Sequence, residues 1–249
     1  MPRHLLLNNI SHQHTRVLHQ FGPQFGDNLA SVLAFPTEFI ELQKEYPILV
    51  RRDQPDGRYQ AIVLLGLQPD ENLYLSDQHP TGWDARYIPA SIEKGPFLIG
   101  FQRQPGSQGE ELNPVVHIDM EHPKVSEQQG QSLFLPQGGN SPYLEHISTR
   151  LLAIHQGVEL ASLMFAAFEQ LELLEPLNIE FSLDNGEKHR LLGNYAINES
   201  RLAALRGAEL EQLNQAGLLQ LAYAMVSSLS NIRHLIARKN NLLRRQGLL

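Results

Sequence analysis

A run of apolar residues at alternating spacings of three and four constrains this chain more than any other feature: Leu144, Ile147, Leu151, Ile154, Val158, Ala161, Phe165 and Phe168. That spacing keeps returning to one side of an α-helix, so it predicts a single apolar face over about seven turns. Ser141-Pro142 stands at its start in the order that a helix N-terminus favours, a capping hydroxyl and then a proline at the first helical position. Pro176 is the expected stop. A helix of this length has to be the spine of the fold.

The sequence before it reads differently. "NLASVLAFP" has the look of a strand, "TEFIELQKEYP" of a short helix opened by Thr37, and "PILVRRD" with "RYQAIVLLGL" of a strand pair. Gln54-Pro55-Asp56-Gly57 supplies a turn for that pair, because proline fixes one dihedral and glycine accepts a positive φ. "NLYLS", "PFLIGFQR" and "NPVVHIDM" are expected as further short strands. Behind the spine, "LNIEFSLDNGEKHRLLGNYAIN" predicts a second hairpin with Asp184-Asn185-Gly186 at its tip, followed by two helices, 199–217 and 218–246. Residues 1–29, rich in His, Gln and Asn without a sustained period, are expected as an irregular arm. The fold class is therefore α+β: a β-rich N-terminal half with hairpins, a long central helix, a second hairpin and C-terminal helices, with 30–249 as one domain.

Composition removes several function classes. With no cysteine, disulfides, thiolate metal sites and cysteine nucleophiles are excluded. A formal charge of −7 argues against broad nucleic-acid binding, since phosphate recognition needs clustered positive charge. The basic stretch with Arg233, Arg238, Lys239, Arg244 and Arg245 reads as a solvated helix end, where cations favour the dipole. No run approaches the roughly 20 apolar residues of a membrane span, and the first residues do not read as a secretory signal, so the expected location is the cytoplasm. Glycine-rich phosphate loops, Gly-x-Ser-x-Gly and His-Glu-x-x-His are all missing from the sequence.

Three blocks in fixed order resemble the bacterial SapC-like protein family: "YPILVRRD…GRYQAIVLLGL…ENLYL…GWDARYIPA…PF", then "HIDMEHPKVSEQQGQSLF", then "GNYAINESRLAAL…LNQAGLLQLAYAMVSSLSNIRHLI". The resemblance covers about residues 30–238. Positions shared with the family pattern include Tyr46, Pro47, Gly66, Asn72, Trp83, Asp84, Tyr87, Pro89 and Tyr195. Most are of types that shape a chain more readily than they perform reactions. The family is named for surface-layer gene clusters, and its members are often encoded near TonB-dependent receptors and proteins similar to flavin-dependent halogenases. The resemblance brings no catalytic residues with it; His117 is not part of the family pattern.

Two candidate sites follow from the residues. Trp83-Asp84-Ala85-Arg86-Tyr87 holds the only tryptophan of the chain among charges and rings. With Asn72 and Tyr46 it suits recognition of a peptide or protein, while the competing reading makes Trp83 the peg of a domain. The other candidate is metallic: His117 and Asp119 with His189 as a third ligand, and Arg201 as a clamp, would mimic the two-histidine, one-carboxylate set of non-haem iron oxygenases. A plain ion pair explains His117 and Asp119 equally well, since residues two apart on a strand share a face. His12, His14 and His19 read as solvated.

The first functional expectation is thus a non-catalytic accessory protein that binds a peptide or protein partner, with no cofactor. The resemblance implies a halogenase-like flavoprotein or a TonB-dependent receptor system as that partner, and an apolar helix stripe wider than one core covers predicts a homodimer. A metal-dependent oxygenase and a structural component of a surface layer stay open as alternatives.

Overall fold

The computed structural model describes residues 3–53, 57–103 and 112–248, so the turn at Gln54, Pro55 and Asp56 lies outside the described residues. The architecture is mixed α+β, with three antiparallel sheets, a long central helix and helices at the C-terminal end. The chain divides into two compact units, one made of 1–27, 75–84 and 90–156, the other of 28–74, 85–89 and 157–249.

The first unit holds two small sheets. β1 (His4–Leu6), β7 (Leu112–Asp119) and β6 (Phe97–Arg103) form one in the order β1-β7-β6, and β8 (Val125–Ser126), β2 (Arg16–Val17) and β9 (Gln131–Ser132) form the other in the order β8-β2-β9. The segment expected as an irregular arm therefore supplies a strand to each sheet. His12 in it is buried, its Nδ1 3.2 Å from the backbone of Asn8. Val17, Phe97, Ile118, Leu133 and Phe134 close on Leu144, Ile147 and Leu151 of the long helix, so the first turns of that helix carry this core. The short helix α2 (Ala90–Glu93) is fastened to the same helix by the buried Glu93 carboxylate, which takes His146 Nε2 at 2.9 Å and Arg150 Nε at 2.7 Å.

The second unit is built on one five-stranded sheet in the order β10-β11-β4-β5-β3: β3 (Ser31–Leu33), β4 (Ile48–Arg52), β5 (Tyr59–Leu64), β10 (Leu174–Ser182) and β11 (Lys188–Ile197). Ile48, Leu49 and Val50 are all buried although neighbours on a strand face opposite ways, so both faces of the sheet are covered at β4. α6 (Leu218–Ser228) covers part of it, packing on β4, β11, α1 (Phe39–Leu42) and α5 (Gly207–Gln215). α7 (Asn231–Arg245) reaches the tip of the β10–β11 hairpin, where Asn240 accepts the Asp184 N–H at 3.1 Å and Arg244 pairs with Asp184. Three cations of the basic stretch are thereby held internally: Arg244 in that pair, Lys239 on Glu71, and Arg238 with its guanidinium 4.4 Å from the centre of the Tyr74 ring.

Several expectations are corrected. The "NLYLS" strand is reduced to a single bridge between Leu75 and Trp83. Two C-terminal helices become four, with α4 (Glu199–Ala204) added; the chain turns at Gly217, whose φ of +71° an L side chain rarely adopts, and again at Leu229-Ser230. The helix expected to open at Thr37 begins instead as a 3-10 turn at Pro36–Glu38, where Glu38 accepts the Phe35 N–H.

The central helix α3 (Pro142–Gln170) begins as expected, with Ser141 Oγ accepting the Leu144 N–H at 3.2 Å. It ends sooner. Glu172 takes a left-handed conformation (φ +54°) and Leu173 N–H bonds back to Phe168, so the helix has already turned off when Pro176 arrives inside edge strand β10, where a missing N–H does no harm. The apolar stripe also shifts. In the second half Gly157, Met164, Phe165 and Phe168 are buried, while Val158 is 53% and Leu163 67% exposed. Gly157 makes the shift: a Cβ there would lie 2.6 Å from Phe35 Cβ, so this helix turn packs backbone to side chain. By length and composition alone α3 would also suffice to cross a membrane, contrary to the sequence expectation, with a mean hydropathy of 1.5 over 18 residues, 28% of them buried. Core helices of soluble proteins meet the same test.

Candidate functional site

In the first unit Trp83 is 1% exposed, set edge-on against Phe21 with ring centres 5.6 Å apart. The loop that presents it is closed on itself: Ser76 N–H bonds to Gly82 O, Gly82 N–H to His79 O, and Phe21 N–H to Thr81 O. This is the arrangement of a peg. Asp84 follows with His79 Nε2 at 2.9 Å.

In the second unit the remaining residues of that candidate form a clasp. Glu45 accepts the Arg86 and Tyr87 N–H groups at 3.1 Å, Tyr87 donates its hydroxyl to the buried Glu38 at 2.9 Å, and Tyr46 donates to the Tyr87 carbonyl. Asn72 Oδ1 accepts the Tyr74 N–H two residues on, a local turn. Tyr46 and Asn72 are buried, so neither offers a surface to a ligand. Only Arg86 of the set is exposed.

Each proposed metal ligand sits in a local setting of its own. Asp119 accepts the Arg3 and Glu121 N–H groups; although what little burial it has works the other way, those two amides hold its carboxyl below the ordinary value. His117 lies across the strand pair over Gly100. His189, in the second unit, stacks on Phe181 with ring centres 5.4 Å apart, and Arg201 donates to Leu171 O and pairs with Glu209. Among the described residues no three His, Asp or Glu side chains converge as a metal ion would require.

Perturbed groups gather in the first unit. Burial pushes Lys124 below its ordinary value even though Asp27, 3.0 Å away, pulls it up. Burial likewise lowers His19, whose ring meets Phe21 and Tyr143, and raises the Tyr143 hydroxyl with help from Glu93. Desolvation leads in each case, and Lys124, Asp27 and Glu93 are already paired, which describes a packed polar interior. A mixed hollow of about 590 Å³ in the same unit is lined by His14, Arg16, Glu127 and Ser132 together with Phe134, Leu135 and Pro136, with Arg16 held by the Gly130 carbonyl.

The second unit carries the concavity best suited to recognition. A groove of about 490 Å³ runs between the end of β3, the start of β5 and the second half of α3. Phe35, Tyr59, Ala61, Ala161 and Phe165 give it an apolar bed, Val158 and Leu33 stand exposed along it, and Arg58, Gln60, Ser162 and Glu169 supply polar groups. An apolar concavity of this size with a few polar groups is the usual form of a binding site. The sequence singled out none of these residues as a site, although Val158, Ala161 and Phe165 belong to the helix stripe. Val158 was assigned to the buried stripe, and the signal against it was Gly157, which lets the helix face turn.

The SapC family model matches residues 7–235, nearly the whole chain. No curated protein and no solved structure matches it.

Proposed function

The chain belongs to the SapC family, and we propose that this member is a non-catalytic accessory protein that binds a peptide or protein segment in the groove of its second unit. One observation carries the reading. The groove is apolar, lies beside the 53%-exposed Val158, and has only Arg58, Tyr59 and Glu169 as ionisable lining, with no nucleophile and base in partnership. Such a surface gains from covering apolar area. Halogenase-like flavoproteins and TonB-dependent receptors, which the family resemblance implies as neighbours, are the first partners to try.

The test is selection from a displayed random-peptide library, with titration calorimetry on the enriched peptides against wild type, Val158→Arg and Arg86→Ala. Both substitutions are at exposed positions, so folding is expected to survive them. Binding lost with Val158→Arg and kept with Arg86→Ala supports the groove. The reverse result moves recognition to the Trp83–Tyr87 loop, and an empty selection removes the reading.

A further inference from the structure

The charges at the groove say what kind of segment it takes. Around it, several surface charges of unit 2 are held in internal contacts: Arg51 donates to Ser31 and Asn194, Arg52 donates to Gly57 O and lies over Tyr59, Asp53 accepts from Gln60, and Arg190 pairs with Glu180. Arg58 and Glu169 differ. Both are exposed, both line the groove, and among the described residues neither side chain has an ion pair or hydrogen bond. One cation and one anion therefore line an apolar bed of aromatic and alanine side chains without pairing with each other.

Resting on the peptide-binding reading above, we infer that the groove takes a peptide segment with an apolar side chain at its centre, an acidic group toward Arg58 and a basic group toward Glu169. Rim charges of this kind set orientation and partner choice more than affinity, because solvent screens them while the covered apolar surface holds the segment.

The experiment uses the same displayed library against wild type, Arg58→Glu, Glu169→Lys and the double variant, all exposed changes checked by thermal unfolding. Wild type is expected to enrich apolar segments that carry both an acidic and a basic group. Each single reversal should weaken those peptides about two- to fivefold, the range of an exposed ion pair, and the double variant should enrich the charge-reversed set. Raising salt from about 50 to 500 mM should erase the preference and leave apolar binding. Peptides enriched without regard to charge, yet lost in Val158→Arg, overturn this inference while the binding reading stands. A dimer in solution that Val158→Arg splits assigns the groove to a second copy of the chain and overturns it as well.

Discussion

Lys124 and Asp27 offer the sharpest test of the physical reasoning, because both are almost fully enclosed, with side chains 3% and 8% exposed. The ammonium lies 3.0 and 3.2 Å from the two carboxylate oxygens and 4.3 Å from the centre of the Phe21 ring. At 3 Å and an effective dielectric of about 20 the attraction is about 5 kcal/mol. Desolvating the two ions costs several kcal/mol each, and the lowered Lys124 value shows that for the lysine burial outweighs its partner. The pair as a whole is therefore close to break-even, but either half alone is not. Asp27→Ala leaves an uncompensated buried cation and removes the acceptor for the Gly22 N–H, so it should cost about 3–5 kcal/mol. Lys124→Met should cost a similar amount. The double change Asp27→Leu with Lys124→Met should lose only about 1–2 kcal/mol, which makes the coupling between the sites several kcal/mol. Urea unfolding followed by the fluorescence of Trp83 reads the relevant unit, since this is the only tryptophan and it packs on the same Phe21. In Asp27→Ala, stability should recover as the pH rises toward 10, because the unfolded lysine holds its proton to a higher pH than the folded one. Single substitutions costing under about 1 kcal/mol, or costs that simply add in the double variant, would refute the argument.

Further outcomes follow from the same structure. Trp83→Ala should destabilise the protein by about 3–5 kcal/mol in chemical denaturation, as deletion of a buried ring does; a change under 1 kcal/mol would mean that the indole is not a peg. Gly157→Ala in an exposed helix would gain about 1 kcal/mol, but here the added carbon meets Phe35 Cβ at 2.6 Å, and overpacking of about 1–3 kcal/mol should turn the gain into a net loss; a raised melting temperature would show that the helix moves freely off Phe35. His19 and His122 are both lowered chiefly by burial, with Lys124 and His146 adding to His19 against Glu93, and Lys124 and Lys94 adding to His122 against Asp119 and Asp27. The unfolded state thus takes up these protons first. Stability should be complete above about pH 6.5 and fall as the pH drops below it, whereas Asp119, being lowered, contributes above about 3.8 and is lost only at more acid pH. His19→Gln with His122→Gln should flatten the melting temperature between pH 7.5 and 5, and an unchanged slope would sink the assignment.

How much of this was legible before the structure depended on whether local chemistry decides the outcome. The β4–β5 pair, the hairpin with Asp184-Asn185-Gly186 at its tip and the Ser141 cap are local, each fixed by the strand pattern, turn or capping residues in a few positions, and each formed where the sequence put it. The strands β1 and β2 were hidden because two or three residues pairing with β7, β8 and β9 more than 100 positions away leave no period to read. The Trp83 loop looked like a site because rings and charges cluster there, yet the same residue types serve a clasp once Glu45 takes two backbone amides. The groove was illegible for the complementary reason. Whether Val158 faces a core or a solvent-filled cleft is decided by Gly157 closing on Phe35, a contact across more than 120 residues that the 3.6-residue period cannot express. Arg58 and Glu169 become informative only when their neighbours' partners are known, because an unpaired charge is defined by what surrounds it. In a chain whose apolar, polar and charged residues mostly satisfy one another, the groups left without partners are where a second molecule has most to offer.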